Sequence, residues 1–137
     1  MEERYYLDTS VWMDYYEDRK DPYRDIGEYA YQLLCRLMAT NSKILVSFFL
    51  FKELSKYYSM DDIRGMATPF ERSIVRVSIS REQSREAKLI SQERNMPKAD
   101  VIHAILARDN DAVLVSRDKH FNLLKDICRI AKPEDVF

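Results

Sequence analysis

Glycine is almost absent, with Gly27 and Gly65 the only two in 137 residues. A dinucleotide-binding turn or a phosphate-cradling P-loop needs several glycines within a few positions, so both are excluded. Cysteine is equally scarce. Cys35 and Cys128 each lie in an apolar pattern without metal-type spacing and read as small core residues, not as a disulfide or a ligand pair. Two histidines, His103 and His120, are too few for a histidine-based zinc site. No run approaches the roughly 18 uninterrupted apolar residues of a membrane span. The opening Met-Glu-Glu-Arg leads straight into a strand-like Tyr-Tyr-Leu, unlike a signal peptide. A cytoplasmic protein with no membrane partner is expected.

A charge excess of either sign is missing too: 22 basic residues face 23 acidic ones, for a net charge of −1. The strong positive balance of many nucleic-acid binders is therefore lacking. Cations bound at four carboxylates would leave the remainder of the chain net positive, so this balance does not exclude a nucleic acid. Lys52, Lys56, Lys98, Arg117 and Lys119 surround the candidate site discussed below. Apolar residues at 46% and charged residues at 33% describe an ordinary folding chain. The length suits a single domain over residues 1–137.

Strand and helix patterns alternate. Arg4 to Leu7 is strand-like, and Asp8-Thr9-Ser10 supplies cap residues for a helix through Val11, Trp12 and Tyr15. Apolar residues at Ile26, Tyr29, Ala30, Leu33, Leu34, Leu37 and Met38 repeat at 3, 4 and 7 and predict an amphipathic helix. Lys43 to Ser47 reads as a strand, followed by a helix with Leu50, Leu54 and Tyr57 on one side. Asp61, Asp62 and Gly65 mark a break or short helix before the β-prone run Ile74-Val75-Arg76-Val77. Ser80 and Gln83 form a capping box for a helix to about Arg94, with Ala87, Leu89 and Ile90 inward. Pro97 suits the first turn of another helix, which carries Asp100 and His103. Ala112 to Val115 is a continuous apolar run, as in a parallel strand covered on both faces. Arg129-Ile130-Ala131 adds a short last strand. This alternation predicts a three-layer α/β/α sandwich with a mostly parallel central sheet of about five strands.

Ligands of such sheets gather outside the carboxyl ends of the strands. Asp8 and Asp118 each follow a strand, so both carboxylates emerge at that edge. Glu53 and Asp100 lie on helices that can face the same crevice. Two charges about 4 Å apart at an effective dielectric of about 20 repel by roughly 4 kcal/mol, and a divalent cation reverses the sign. Carboxylates with room for water suit Mg²⁺ or Mn²⁺ better than zinc. Such a site can hydrolyse phosphodiesters without a nucleophilic side chain.

Tyr6-Leu7-Asp8-Thr9-Ser10-Val11, Glu53-Leu54, Ala99-Asp100-Val101-Ile102-His103-Ala104 and Leu114-Val115-Ser116-Arg117-Asp118-Lys119-His120-Phe121 resemble, in order and spacing, the acidic motifs of PIN-domain ribonucleases. The resemblance spans nearly the whole chain, and its single-domain size is similar to the VapC-type toxins of toxin-antitoxin pairs. It implies an endoribonuclease dependent on Mg²⁺ or Mn²⁺, often a homodimer, held inactive by an antitoxin. Carried over by position, Asp8, Glu53, Asp100 and Asp118 match the metal-binding acids, and Ser10 and Ser116 match polar positions that support them. Ser116 stands where many relatives have Thr, and His120 where some have a further acid. Pro133-Glu134 resembles the family's usual ending and is given no chemistry.

Taken singly, each acid is equally a helix cap or a surface charge, and their ordered set carries the assignment. His103 is read first as a packing or surface residue, with substrate contact as the alternative, and His120 likewise. Most of the nine tyrosines are packing residues, though stacking on bases is open to them and to Trp12. The helices around Tyr15, Tyr16, Tyr29 and Tyr31 offer a surface for the homodimer. A haloacid-dehalogenase-like phosphatase would need a second aspartate where Asp8-Thr9-Ser10 has none. The rival readings are a non-catalytic PIN scaffold that binds RNA or assembles proteins, and an RNA-processing nuclease outside toxin-antitoxin systems.

Overall fold

Successive side chains of a strand leave opposite faces of its sheet, and the strands here are apolar on both. The computed structural model describes residues 2–137. In it, β1 (Arg4–Leu7), β2 (Lys43–Ser47), β3 (Ile74–Val77), β4 (Val113–Val115) and β5 (Ile130–Ala131) form one sheet in the order β3-β2-β1-β4-β5. Every pairing is parallel. Tyr5, Leu7, Ile44 and Val115 point to one layer, packing with Val11, Trp12, Leu34, Leu50 and Met66. Tyr6, Leu45 and Leu114 point to the other, against Ala87, Val101, Ile105 and Phe121. The expected three-layer sandwich is the fold, with the sheet parallel throughout.

The first layer holds α1 (Thr9–Glu17), α2 (Ile26–Ala39), α3 (Phe48–Leu54) and α4 (Met60–Ala67). The second holds α5 (Arg81–Arg94) and α6 (Lys98–Asp109). Helix α6 is buried without a break from Val101 to Ala107, as an element apolar on all sides must be. Short 3₁₀ turns cover Thr68–Ser73, Lys119–Leu124 and Pro133–Asp135. Among the described residues, no helix is long and apolar enough to cross a membrane.

The capping box of α5 is present in both directions: Gln83 N–H donates to Ser80 Oγ at 3.0 Å, and Ser80 N–H to Gln83 Oε1 at 2.8 Å. The inward face expected for α5 is narrower than its pattern suggested. Ala87 is buried, but Leu89 is 65% exposed, because α5 packs chiefly on α6 along one thin stripe. Tyr57 is likewise exposed, since α3 stops at Leu54 and its periodicity does not extend beyond Ser55. Of the break or short helix expected around Asp61, Asp62 and Gly65, the structure has the short helix: all three lie inside α4. Pro97 is the N-cap of α6 and Lys98 its first residue. Both cysteines are free, and burial pushes the Cys128 thiol up to about 11, which suits a packing role.

Candidate active site

Strand order reverses direction beside β1: β2 and β3 extend to one side, β4 and β5 to the other. At such a switch point the connections diverge and leave a crevice at the carboxyl ends. Asp8 follows β1 there, and Ser116 follows β4. The Asp8 N–H donates to the Val115 carbonyl at 3.1 Å, so the sheet ladder itself fixes the aspartate's position.

Asp8 is also the N-cap of α1, and its carboxylate is 5% exposed. Oδ1 accepts from the Val11 N–H at 3.1 Å and from Ser10 Oγ at 2.8 Å, while Oδ2 accepts from Ser116 Oγ at 2.5 Å. Burial holds its pKa above the ordinary carboxylate value, and these three donors oppose the rise. Ser116 does more than support Asp8. Its Oγ accepts the Asp118 N–H at 3.0 Å, tying the two strand-end acids together. Asp118 in turn caps the turn that follows, accepting the His120 N–H at 2.9 Å, with His120 Nδ1 3.0 Å from the same Oδ1.

Asp100 sits in the first turn of α6. Ligand atoms of Asp100, Asp118 and His120 all lie within 4.8 Å of one another. Burial pushes the Asp100 carboxyl up to about 6, and the negative charges of Asp118, Asp8 and Glu53 add to the rise. All four acids named from the sequence therefore share one electrostatic environment, with Asp100 and Asp118 close enough to hold one ion. Glu53, on α3, stands to one side. Its Oε1 accepts from Thr9 Oγ1 at 2.7 Å and is hydrogen-bonded to His103 Nε2. Burial alone would raise its pKa, but the bonds from His103 and Thr9 and the Lys56 charge bring it below the ordinary value.

The donors fit a hard divalent cation. They are carboxylate oxygens with one imidazole, and Asp100, Asp118 and His120 are half-buried to exposed, leaving room for water. Next to them a cavity of about 340 Å³ shares Ser116 and Asp118 and is lined by Lys119, Asn122, Lys125 and Lys132. A wider apolar groove of about 1060 Å³, between α3, α4 and β3, includes none of the four acids. Of the basic residues expected around the site, Arg117 is only 13% exposed and is bound to Glu134 at 2.8 Å, so its charge is already paired.

Four site groups were not assigned from the sequence, one of them His120, which stands two residues after Asp118 in the same motif. Thr9 lies inside the Asp8-Thr9-Ser10 motif, where its place on the first turn of α1 was the available signal. His103 is three residues from Asp100 on α6, and Tyr6 is two before Asp8, each on the face that leads inward. The tyrosines offered as a dimer surface are partly spent within the chain. Tyr15 stacks on Tyr31 at 6.1 Å and meets Phe70 edge-on at 5.5 Å, whereas Tyr16 and Tyr31 remain 39% and 47% exposed.

The fold is an all-parallel α/β sheet with carboxylates in the crevice at its switch point. The PIN domain family model matches residues 5–127, and the chain belongs to that family. PIN domains are generally nucleases, typically with divalent metals. Comparison by sequence with curated proteins returns no match. Among solved structures the fold is similar to VapBC2 from Rickettsia felis bound to a promoter DNA fragment, with a TM-score of 0.69 and 17% identity over 94% of this chain and 98% of that one. It is also similar to VapBC-1 from nontypeable Haemophilus influenzae (TM-score 0.66, 18% identity, 95% and 98% covered). A toxin-antitoxin complex from Klebsiella pneumoniae gives a TM-score of 0.65 at 18% identity, covering 93% and 96%.

Proposed function

We propose that this chain is a divalent-metal-dependent endoribonuclease, the toxin of a toxin-antitoxin pair. The observation that carries the reading is the gathering of acids at one sheet edge: ligand atoms of Asp100, Asp118 and His120 lie within 4.8 Å of one another, and burial and the charges of Asp118, Asp8 and Glu53 push the Asp100 carboxyl up to about 6. Like charges are gathered there at a cost that a cation would remove. Asp8, Glu53, Asp100 and Asp118 are the residues that would hold Mg²⁺ or Mn²⁺. A bound divalent ion supplies charge to polarise a phosphoryl oxygen and to acidify an attacking water. Ser10 and Ser116 hydrogen-bond the Asp8 carboxylate, oppose the rise in its pKa that burial causes and aim it, and the Glu53 oxygen that accepts neither Thr9 nor His103 is left for the ion or its water. Lys119, Lys125 and Lys132 bring positive charge to the phosphates on either side of the scissile bond, which supports a polyanionic substrate.

The toxin role, a protein antitoxin and a homodimer rest on the likeness to the VapBC and Klebsiella complexes and on the size of the chain. RNA and a cytoplasmic setting belong to the same reading. Incubation of the purified chain with a structured RNA and Mn²⁺ is expected to give defined fragments, and Asp8→Asn is expected to lower the rate at least a hundredfold. Equal cleavage by the variant would sink the catalytic assignment. An upstream reading frame for a small DNA-binding protein that suppresses the cleavage is expected for a toxin, and sedimentation at micromolar concentration tests the dimer.

A further inference from the structure

One buried polar chain runs from the sheet to the crevice. Tyr6 is fully buried on β1, and His103 on α6 is 2% exposed. The Tyr6 hydroxyl lies 2.7 Å from Ser47 Oγ and 2.7 Å from His103 Nδ1. Nε2 of the same imidazole meets Glu53 Oε1. Ser47 Oγ already accepts the Leu50 N–H at 3.0 Å, where it caps α3, the helix that carries Glu53.

Counting protons sets the direction of the chain. A carboxylate only accepts, so Nε2 carries the hydrogen and donates to Glu53. In a neutral ring Nδ1 is then the acceptor of the hydrogen bond that the Tyr6 hydroxyl donates. The Tyr6 oxygen then accepts from Ser47 Oγ, which accepts from Leu50. Each hydroxyl hydrogen and the imidazole hydrogen has one partner, and none is left over. Phe49 packs edge-on against the imidazole at 5.6 Å and Tyr6 lies against it at 5.2 Å, which closes the ring's other freedom. Both bonds to Glu53, from His103 and from Thr9, fall on Oε1.

We infer that His103, oriented by Tyr6, is a positioning residue that holds the Glu53 carboxylate with Oε1 occupied and Oε2 presented to the metal. The inference rests on the metal-dependent reading of this site. Any buried imidazole needs partners for both nitrogens; what points beyond packing is that one partner is Glu53, on the oxygen that Thr9 also occupies. Outer partners of this kind change metal affinity by about 10- to 100-fold when removed.

Mn²⁺ affinity, read from the electron paramagnetic resonance of the free ion, separates the possibilities, with thermal melting to confirm folding. Asp8→Asn is the control for the metal reading. His103→Phe keeps the ring and its stacking but loses both nitrogens, and it is expected to weaken Mn²⁺ binding about 10- to 100-fold. His103→Gln, which restores a donor near the Nε2 position, is expected to recover most of that loss. Tyr6→Phe should cause a smaller, several-fold loss. In RNA cleavage the same variants should raise the half-saturating Mn²⁺ concentration while leaving the KM for RNA unchanged, a split that a packing defect would not produce. If Asp8→Asn loses Mn²⁺ but folded His103→Phe binds it as the parent does, the positioning role is overturned and the metal reading stands. If Asp8→Asn binds Mn²⁺ unchanged, the metal reading itself fails. Should His103→Phe not fold, Tyr6→Phe decides: unchanged Mn²⁺ affinity overturns the proposal, and a several-fold loss supports it.

Discussion

If the site holds a metal as proposed, Asp100 is the residue at which proton and metal compete most directly. Its folded-state pKa of about 6 lies above its ordinary value of 3.8 because burial and three neighbouring carboxylates disfavour its charge. For an acid raised in this way, the folded state holds the proton more tightly than the unfolded chain. The stability it contributes is complete below about 3.8 and is lost as pH rises through about 6. Metal-free protein is therefore expected to lose melting temperature between pH 4 and pH 6.5 by an amount that Asp100→Asn removes, measured by thermal denaturation in chelator. Metal binding should run the opposite way. Mn²⁺ displaces the proton, so its affinity should climb through the same window and level off above pH 7, as titrations at several pH values would show.

At the scale of elements, the chain's two glycines make opposite predictions. A Cβ on Gly27 would fall 2.6 Å from Arg19 N, Asp14 O and Asp18 Cα, all of them backbone, where the start of α2 presses on the end of α1. Gly27→Ala must push the helices apart and is expected to cost about 1–3 kcal/mol. Gly65 sits inside α4 with nothing within 4 Å of its would-be Cβ. Gly65→Ala should stabilise by about 0.5–1 kcal/mol, because alanine loses less backbone freedom in a helix. Urea denaturation of both variants tests the pair, and equal effects would mean that the α1–α2 contact is looser than described. Elements with strong local signals were legible: the α2 stripe, the α5 capping box and the Asp8 cap all depend on neighbours within four residues. Leu89 and Tyr57 were misplaced because a period says which side of a helix is apolar but not how wide a strip its neighbour covers.

For the whole molecule, the energetic consequence of the proposed metal site would be linkage between ion and fold. A ligand that binds only the native state stabilises it by about 2.7 kcal/mol at 100 times its dissociation constant. Saturating Mn²⁺ should therefore raise the melting temperature of the parent chain by several degrees, whereas Asp8→Asn should show little shift at the same concentration. An equal shift in the variant would place the stabilising ions elsewhere on the surface. The alternation of strands and helices was enough to predict a layered, mainly parallel sheet, since parallel neighbours need crossovers. It could not supply the order β3-β2-β1-β4-β5, which follows from pairings between segments more than a hundred residues apart in the case of β1 and β4.

What the sequence determined by itself was the placing of Asp8 and Asp118 after strands and of Asp100 near a helix start, because those follow from local periodicity and capping; Glu53 lies instead in the last turn of α3. The tertiary structure decided what each acid faces. It joined Asp8 to Asp118 through Ser116, brought Asp100 and His120 to Asp118, and set Glu53 against His103 and Thr9. Those contacts span 44 to 108 residues of chain in the cases of Thr9 with Glu53 and Asp8 with Ser116. Their geometry depends on how two helical layers close over one sheet, which no local pattern encodes.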